Sequence, residues 1–390
     1  MDIDARIERR RRRGGEQRLV RDYDALSPVA HLDEPVGRGP VVERLLDHLD
    51  PVFDGTLPPN AYVHGPFGAG KSAVVTALFE RLAHVSTRSR DAIYTTTRAR
   101  SSATPRFVYV DLRETSSEFA FYHRVLDALA DDPVPEHGVG TEEIRARLHG
   151  ALDASRMGVV VAVDHVDAPG VDDADLVAWF AGLPSNASWL AVGRRDPADV
   201  ALCEYTARDI AVDAYQRRVL IDVLMTRASS ALARQALGHT LARRIAEWAD
   251  GNAHDALAAL FAAVDHAANA QRDRVREADV TAALADVPHH SVSLGTVFAL
   301  PENKRLVLRK LVDLDQEDRR SVTATTEAVA ADPAVDLSPG TIKRYLYEMA
   351  EVGVVERVQT AERMGKGRTP SRVELGFAPT VFRRLYDLRQ

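Results

Sequence analysis

Gly65-Pro66-Phe67-Gly68-Ala69-Gly70-Lys71-Ser72 lies between the apolar run Ala61-Tyr62-Val63 and a helix-forming run over residues 73–82. Strand, glycine-rich loop and helix form the context in which G-x-x-x-x-G-K-[ST] reads as a phosphate-binding loop. Glycines let backbone N–H groups turn inward around phosphate oxygens, and the helix N-terminus adds a favourable partial charge. On this reading Gly65, Phe67, Gly68, Ala69, Gly70 and Ala73 form the cradle. Lys71 reaches the phosphates of ATP or ADP, and the Ser72 hydroxyl holds Mg²⁺. The bland alternative is a strand-to-helix turn that happens to be rich in glycine.

A second stretch, about ninety residues on, decides between them. Val159-Val160-Val161-Ala162-Val163 runs into Asp164-His165-Val166-Asp167, a hydrophobic strand that delivers an acid at its carboxyl end. In a phosphate-loop protein that acid holds the Mg²⁺ water shell opposite the loop serine, which assigns Asp164 and Ser72 to the metal. Strands at residues 107–110 and 189–192 alternate with helices around 40–49, 119–130 and from Thr141, where Ile144, Leu148 and Leu152 share a face. Alternation of this kind predicts an α/β fold with a parallel sheet and a ligand at the strands' carboxyl ends. Residues 86–106, rich in Ser, Thr and Arg, read as an exposed insertion.

The 390 residues exceed one typical core, and 45% hydrophobic content supports packed domains. No apolar run approaches a membrane span and no signal-like segment follows the N-terminal arginines, so a cytoplasmic, nucleoid-associated protein without membrane contact is expected. A single cysteine, Cys203, excludes an internal disulfide, and its spacing to the histidines gives no zinc pattern. Charge is uneven. Residues 1–21 hold eight Arg against four acids and residues 291–390 sixteen basic against fourteen acidic residues, which leaves the middle with 26 against 39. An acidic body with basic ends points to a polyanion at the ends. Arg6 and Arg9 to Arg13 read as part of a basic flexible tail over residues 1–25.

Residues 215–288 are helical throughout, with Leu220, Leu224, Leu241, Ile245, Leu257 and Leu260 at helical spacing. A linker over 289–299 then leads to a different pattern. Helices are expected over 306–312 and 322–330. Ser338-Pro339 opens a third, with Ile342, Leu346 and Met349 on its buried face and Lys343, Arg344 and Tyr347 outward. Strands at 354–358 and 373–375 flank a turn carrying Arg363, Lys366, Arg368 and Arg372. Three helices and a basic-tipped hairpin predict a winged helix-turn-helix over 300–390 that contacts double-stranded DNA. A protein-binding role for such a domain is the alternative reading.

Taken in order, these features resemble the archaeal origin-recognition and cell-division-control type replication initiators, AAA+ proteins with a helical lid and a C-terminal winged helix. The resemblance covers residues 24–390. It rests on Asp50-Pro51 and Gly55 ahead of the loop strand, Tyr215 with Leu220, Leu224 and Arg227 opening the lid, and Gly251-Asn252-Ala253-His254-Asp255-Ala256 near its end. Leu300-Pro301 with Lys304, and Tyr345-Leu346 with Gly353, carry it into the last domain. It implies an AAA+ base over 26–214 and a lid over 215–288, with Tyr215 and His254 beside the nucleotide. The implied partners are origin-type duplex DNA, the replicative helicase and other initiator copies.

Three departures stand out. The family pattern of Asp-Glu appears as Asp164-His165, the polar Asn after the Trp189 strand as Gly193-Arg194, and the lid arginine as His254. The acid that would polarise an attacking water is absent, which leaves His165, Asp167 and Arg194 as candidate catalytic residues and implies weak hydrolysis. Two further classes stay open: an active AAA+ remodeller or loader, and a phosphate-loop transcriptional regulator with a winged helix.

Overall fold

The computed structural model describes residues 19–93, 105–130, 132–154, 158–288, 291–359 and 371–390. They divide into two compact units, His31–Tyr215 and a second in which Gln216–Gln390 is joined by the N-terminal stretch up to Ala30.

In the first unit helix α1 (Gly39–Leu49) buries Val41, Leu45 and Leu49 at i, i+4 and i+8, and Pro40 sits in its first turn, where its missing N–H costs nothing. Strand β1 (Ala61–His64) feeds the glycine-rich loop and helix α2 (Lys71–Ile93). Then come β2 (Arg106–Asp111), α3 (Glu118–Leu129), α4 (Thr141–Ala154), β3 (Val159–Asp164), α5 (Asp173–Ala181), β4 (Ala187–Val192) and β5 (Arg208–Ala211). The five strands form one parallel sheet in the order β2-β3-β4-β1-β5. Every residue of β3 is buried, as a strand covered on both faces requires. Val159, Val161 and Val163 join one core with Phe121, Tyr122 and Trp179, while Val160 and Ala162 join the other with Leu45, Val74 and Phe79.

One expectation changes here. The insertion expected to open at residue 86 is helical as far as Ile93. Ser and Thr are indifferent helix formers, but Arg is a good one and no Gly or Pro interrupts residues 83–93, so nothing stops propagation from α2.

The second unit opens with four helices, α6 (Arg217–Ala231), α7 (His239–Trp248), α8 (Ala253–Asn269) and α9 (Glu277–Asp286). Helix α8 is its centre: from Ala256 to Val264 every residue is buried, and five alanines allow neighbours to approach closely. Residues 19–25, expected in the tail, are instead fixed against α6. Val20 bridges to Leu232, Arg21 N–H donates to Ala231 O (2.8 Å), and the buried Arg227 donates to the carbonyls of Ala25 (2.9 Å) and Ala30. A buried guanidinium needs such acceptors, and these main-chain oxygens anchor the strap. The arginines at positions 6 and 9–13 lie outside the described residues.

Helices α10 (Leu294–Phe298), α11 (Glu302–Asp313), α12 (Val322–Ala330) and α13 (Pro339–Glu351) follow, then an antiparallel pair, β6 (Val355–Gln359) with β7 (Ser371–Leu375), and helix α14 (Pro379–Leu388). Ser321 and Ser338 cap α12 and α13 by accepting from Ala324 N–H (3.1 Å) and Thr341 N–H (3.2 Å). Gly353, at φ +73°, ends the turn after α13. The stretch expected as a linker over 289–299 contains α10, whose Leu294 and Val297 are fully buried, so part of it belongs to the core.

Candidate functional site

The loop after β1 is shaped by close approach. A Cβ on Gly65, at φ +151°, would lie 2.0 Å from the Val212 carbonyl oxygen, and one on Gly70, at φ +76°, 2.6 Å from the Tyr215 hydroxyl. Gly68 is at φ +73°. Only glycine tolerates these backbones and contacts, so the loop is drawn tight against the chain that follows β5. Tyr215 is covered in turn by Arg38, whose guanidinium stacks 3.6 Å from the ring centroid and donates to Asp213 O (2.8 Å). Arg38 is buried and escapes sequence reading. A lone Arg between two glycines ahead of a helix carries no signal.

Lys71 opens α2 and folds its ammonium onto the loop carbonyls of Gly65 (2.7 Å) and Pro66 (2.9 Å). Burial pushes this ammonium down to about 8, with Asp164 and Asp167 pulling the other way. Asp164, 1% exposed, ends β3 level with Asp111 of β2. Burial alone would raise its carboxyl. The charge of His165, hydrogen bonds from Ser72 and Tyr109 (2.7 Å to the Tyr109 hydroxyl) and the His165 N–H (2.7 Å) outweigh that and hold it below the usual carboxylate range.

His165 stands in the left-handed region at φ +61°, which His tolerates better than most side chains. Its Nε2 is 3.8 Å from Asp164 Oδ2 and buried without a hydrogen-bond partner. Asp167 is held by the Arg194 Nε. Ser72, Asp164, His165, Asp167, Arg194 and Tyr215 therefore belong with the loop to one unit at the strands' carboxyl ends.

This donor set suits a nucleotide phosphate and its magnesium. A desolvated ammonium rests on carbonyls that phosphate oxygens would replace, and a fixed carboxylate faces the loop serine.

A family model of the AAA ATPase domain matches residues 34–192. The ORC1-type DNA replication protein 10 of Halobacterium salinarum is 25% identical over 316 residues, covering 76% of this chain and 73% of that one. Among solved structures, the Aeropyrum pernix ORC1 protein in complex with DNA matches with a TM-score of 0.62 at 20% identity, over 94% of this chain and 96% of that one. The chain is similar over most of its length to archaeal ORC1-type DNA replication proteins, and its first unit matches the AAA ATPase domain. The Aeropyrum pernix ORC2 protein, solved as ADPNP-ADP complexes, matches with a TM-score of 0.55 at 16% identity, over 95% and 98% of the two chains.

The other candidate residues lie in the second unit. His254, at the start of α8, has both ring nitrogens engaged. Nδ1 meets the Asp255 carboxylate at 3.2 Å and Nε2 accepts the Leu294 N–H at 3.1 Å. An accepting Nε2 makes the ring the neutral Nδ1–H tautomer, so the position carries no cation here. Asp255 also accepts from Asn252 Nδ2 (2.7 Å) and Ser291 Oγ (2.5 Å), tying the start of α8 to the chain entering α10.

On α13, Ile342, Leu346 and Met349 are buried as expected, while Lys343 and Arg344 face outward and Tyr347 is half-buried. The outward cations differ in their partners. Arg344 pairs with Glu348 (3.4 Å) and Arg372 with Glu374, through its Nε at 2.9 Å. Lys343 has no acidic partner among the described residues. Its ammonium lies 5.9 Å from the Tyr347 ring, whose centroid is 4.5 Å from the Arg357 guanidinium of β6. Arg357 is the addition that pairing β6 with β7 brings to light. Arg363, Lys366 and Arg368 fall outside the described residues.

Proposed function

We propose that this chain is a replication-initiator-type protein that binds ATP or ADP with Mg²⁺ in the first unit and origin-type duplex DNA through the C-terminal winged-helix region, and that it hydrolyses ATP weakly or not at all. Helicase recruitment and assembly with further initiator copies belong to the same reading. The DNA complex of the Aeropyrum pernix ORC1 protein supports the nucleic-acid part. The ADPNP-ADP complexes of the ORC2 protein support the nucleotide part. Lys71, Ser72 and Asp164 would hold the nucleotide and its metal, and the bound metal would neutralise phosphate charge.

The observation that carries the weak-hydrolysis reading is His165. A glutamate after Asp164 would set two carboxylates side by side, one of them placed to take a proton from water. Histidine replaces that repulsion with attraction and locks Asp164 as a carboxylate. Asp167 is a poor substitute base, because the Arg194 Nε already occupies its carboxylate. The test is steady-state turnover and nucleotide binding with DNA present. Lys71→Ala should abolish binding, and His165→Glu should raise turnover by about 10²- to 10⁴-fold, the usual worth of a general base. Fast wild-type turnover that disappears in Lys71→Ala would favour an active remodeller and defeat this reading.

A further inference from the structure

Strand β2 pairs with β3 so that Tyr109 lies opposite Ala162 and Asp111 opposite Asp164. Residues two apart share a face of the sheet, and this face is the one covered by α2. Val160 and Ala162 pack in one core with Val74, Val75 and Phe79, and Phe107 and Tyr109 lie against its edge. The Phe79 and Phe107 rings meet edge-on with centroids 5.4 Å apart. Ahead of Asp164, Ala162 is the one residue of β3 that is not valine. Its small methyl leaves room for the Tyr109 ring to run along the sheet and bring its hydroxyl to Asp164 Oδ2, 2.7 Å away.

The Asp164 carboxylate is thereby held at both oxygens. Oδ1 accepts the His165 N–H at 2.7 Å and Oδ2 accepts the Tyr109 hydroxyl. One donor alone would leave the group free to turn, whereas donors on opposite oxygens fix its plane. Burial and the carboxylates of Asp164 and Asp111 hold the Tyr109 phenol well above its ordinary range, so the hydroxyl stays a donor. Asp111 itself is occupied. Arg113 donates to it through its own N–H (2.9 Å), Nε (3.0 Å) and Nη2 (2.6 Å). Of the two carboxylates at the exits of β2 and β3, Asp164 is therefore the one left facing the loop serine.

We propose that the Tyr109 hydroxyl aligns the Asp164 carboxylate for the Mg²⁺ of a bound nucleotide and so sets how tightly the site holds the metal. The proposal rests on the nucleotide-binding reading above and adds a positioning residue to it. Tyr109 acts through Asp164, and no bond is made or broken.

The test compares the Kd for ATP in EDTA with the Kd for ATP in saturating Mg²⁺, both measured calorimetrically on the full chain. The ratio of the first to the second isolates what the metal contributes. Tyr109→Phe keeps the ring against α2 and removes only the hydroxyl. It should lower the ratio by about tenfold or more, the usual worth of a hydrogen bond to a metal-holding carboxylate, and leave the Kd in EDTA unchanged. Ser72→Ala removes a hydroxyl assigned to the metal itself, should also lower the ratio, and serves as the control. A purely structural role for Tyr109 would weaken ATP equally in EDTA and in Mg²⁺, and that result would overturn the proposal. An unchanged ratio in Tyr109→Phe, with Ser72→Ala still lowering it, would overturn the role of Tyr109 and leave nucleotide binding standing. Equal Kd values in EDTA and Mg²⁺ for the wild-type chain would do the same. A wild-type chain that binds ATP in neither condition would overturn both.

Discussion

Ion pairing within the C-terminal region predicts which cations reach DNA. Lys343 and Arg357 flank Tyr347 with no acidic partner among the described residues, whereas Arg372 is held by Glu374. A phosphate must displace a carboxylate to use Arg372, but meets Lys343 and Arg357 directly. The perturbation is a pair of double variants, Lys343→Ala/Arg357→Ala and the charge-neutral Arg372→Gln/Glu374→Gln. Each phosphate contact contributes about 0.9 to the slope of log affinity against log salt, so the first variant should lower the slope by about 1.8. Between 50 and 200 mM salt the wild-type chain should then lose about twelvefold more affinity than that variant. The second variant should keep the wild-type slope. Both clusters are exposed, and the cation–ring contacts at Tyr347 are worth only about 0.5–1 kcal/mol, so neither variant should unfold. Fluorescence anisotropy on one duplex across a salt series reads the slopes. Equal slopes for the two double variants would refute the argument that internal pairing decides phosphate contact.

What the sequence makes legible here is what local chemistry dictates. The loop from Gly65 to Ser72 is readable because its glycines, lysine and serine each answer a separate demand of phosphate binding. Val159–Asp164 is readable because a strand buried on both faces leaves an uninterrupted apolar run. Ser338-Pro339 is readable because a capping hydroxyl and a first-turn proline are tied to a helix start. The features that escape are those set by distant partners. Arg38 acquires meaning only when its guanidinium lies over Tyr215, and Arg357 only when the β6–β7 register places it beside Tyr347. Gly193 reads as the loss of a polar side chain, yet the hydroxyl of Tyr62, three residues before the loop, fills the space that side chain would need. His254 likewise reads as a lost cation, while its ring is committed to Asp255 and Leu294. A motif records the residue type at a position but not which neighbour has claimed it.

The Tyr62 contact gives a direct test of that point. Gly193→Asn alone should destabilise by about 1–3 kcal/mol through overpacking. Tyr62→Phe alone should cost about 1 kcal/mol for the lost hydrogen bond to Arg195 O (3.0 Å). Together they should cost less than the sum by about 1 kcal/mol, read from denaturant midpoints, since the shortest contact is gone and those of Val166 Cγ2 and the residue-62 ring remain; strict additivity would mean the hydroxyl does not exclude a side chain at 193. The last prediction concerns Asp265, 1% exposed on α8, which accepts from the Arg384 Nε of α14 (2.6 Å) and from Asn269 Nδ2 (2.9 Å). Arg384→Ala strands a buried carboxylate and should cost about 3–5 kcal/mol. Hydrogen exchange should localise the loss to α8 and α14, leaving β1–β5 protected. Asp265→Asn added to Arg384→Ala removes the stranded charge and should recover more than half of the cost. A double variant no more stable than Arg384→Ala would mean that Arg384 acts through its packing and not by neutralising Asp265.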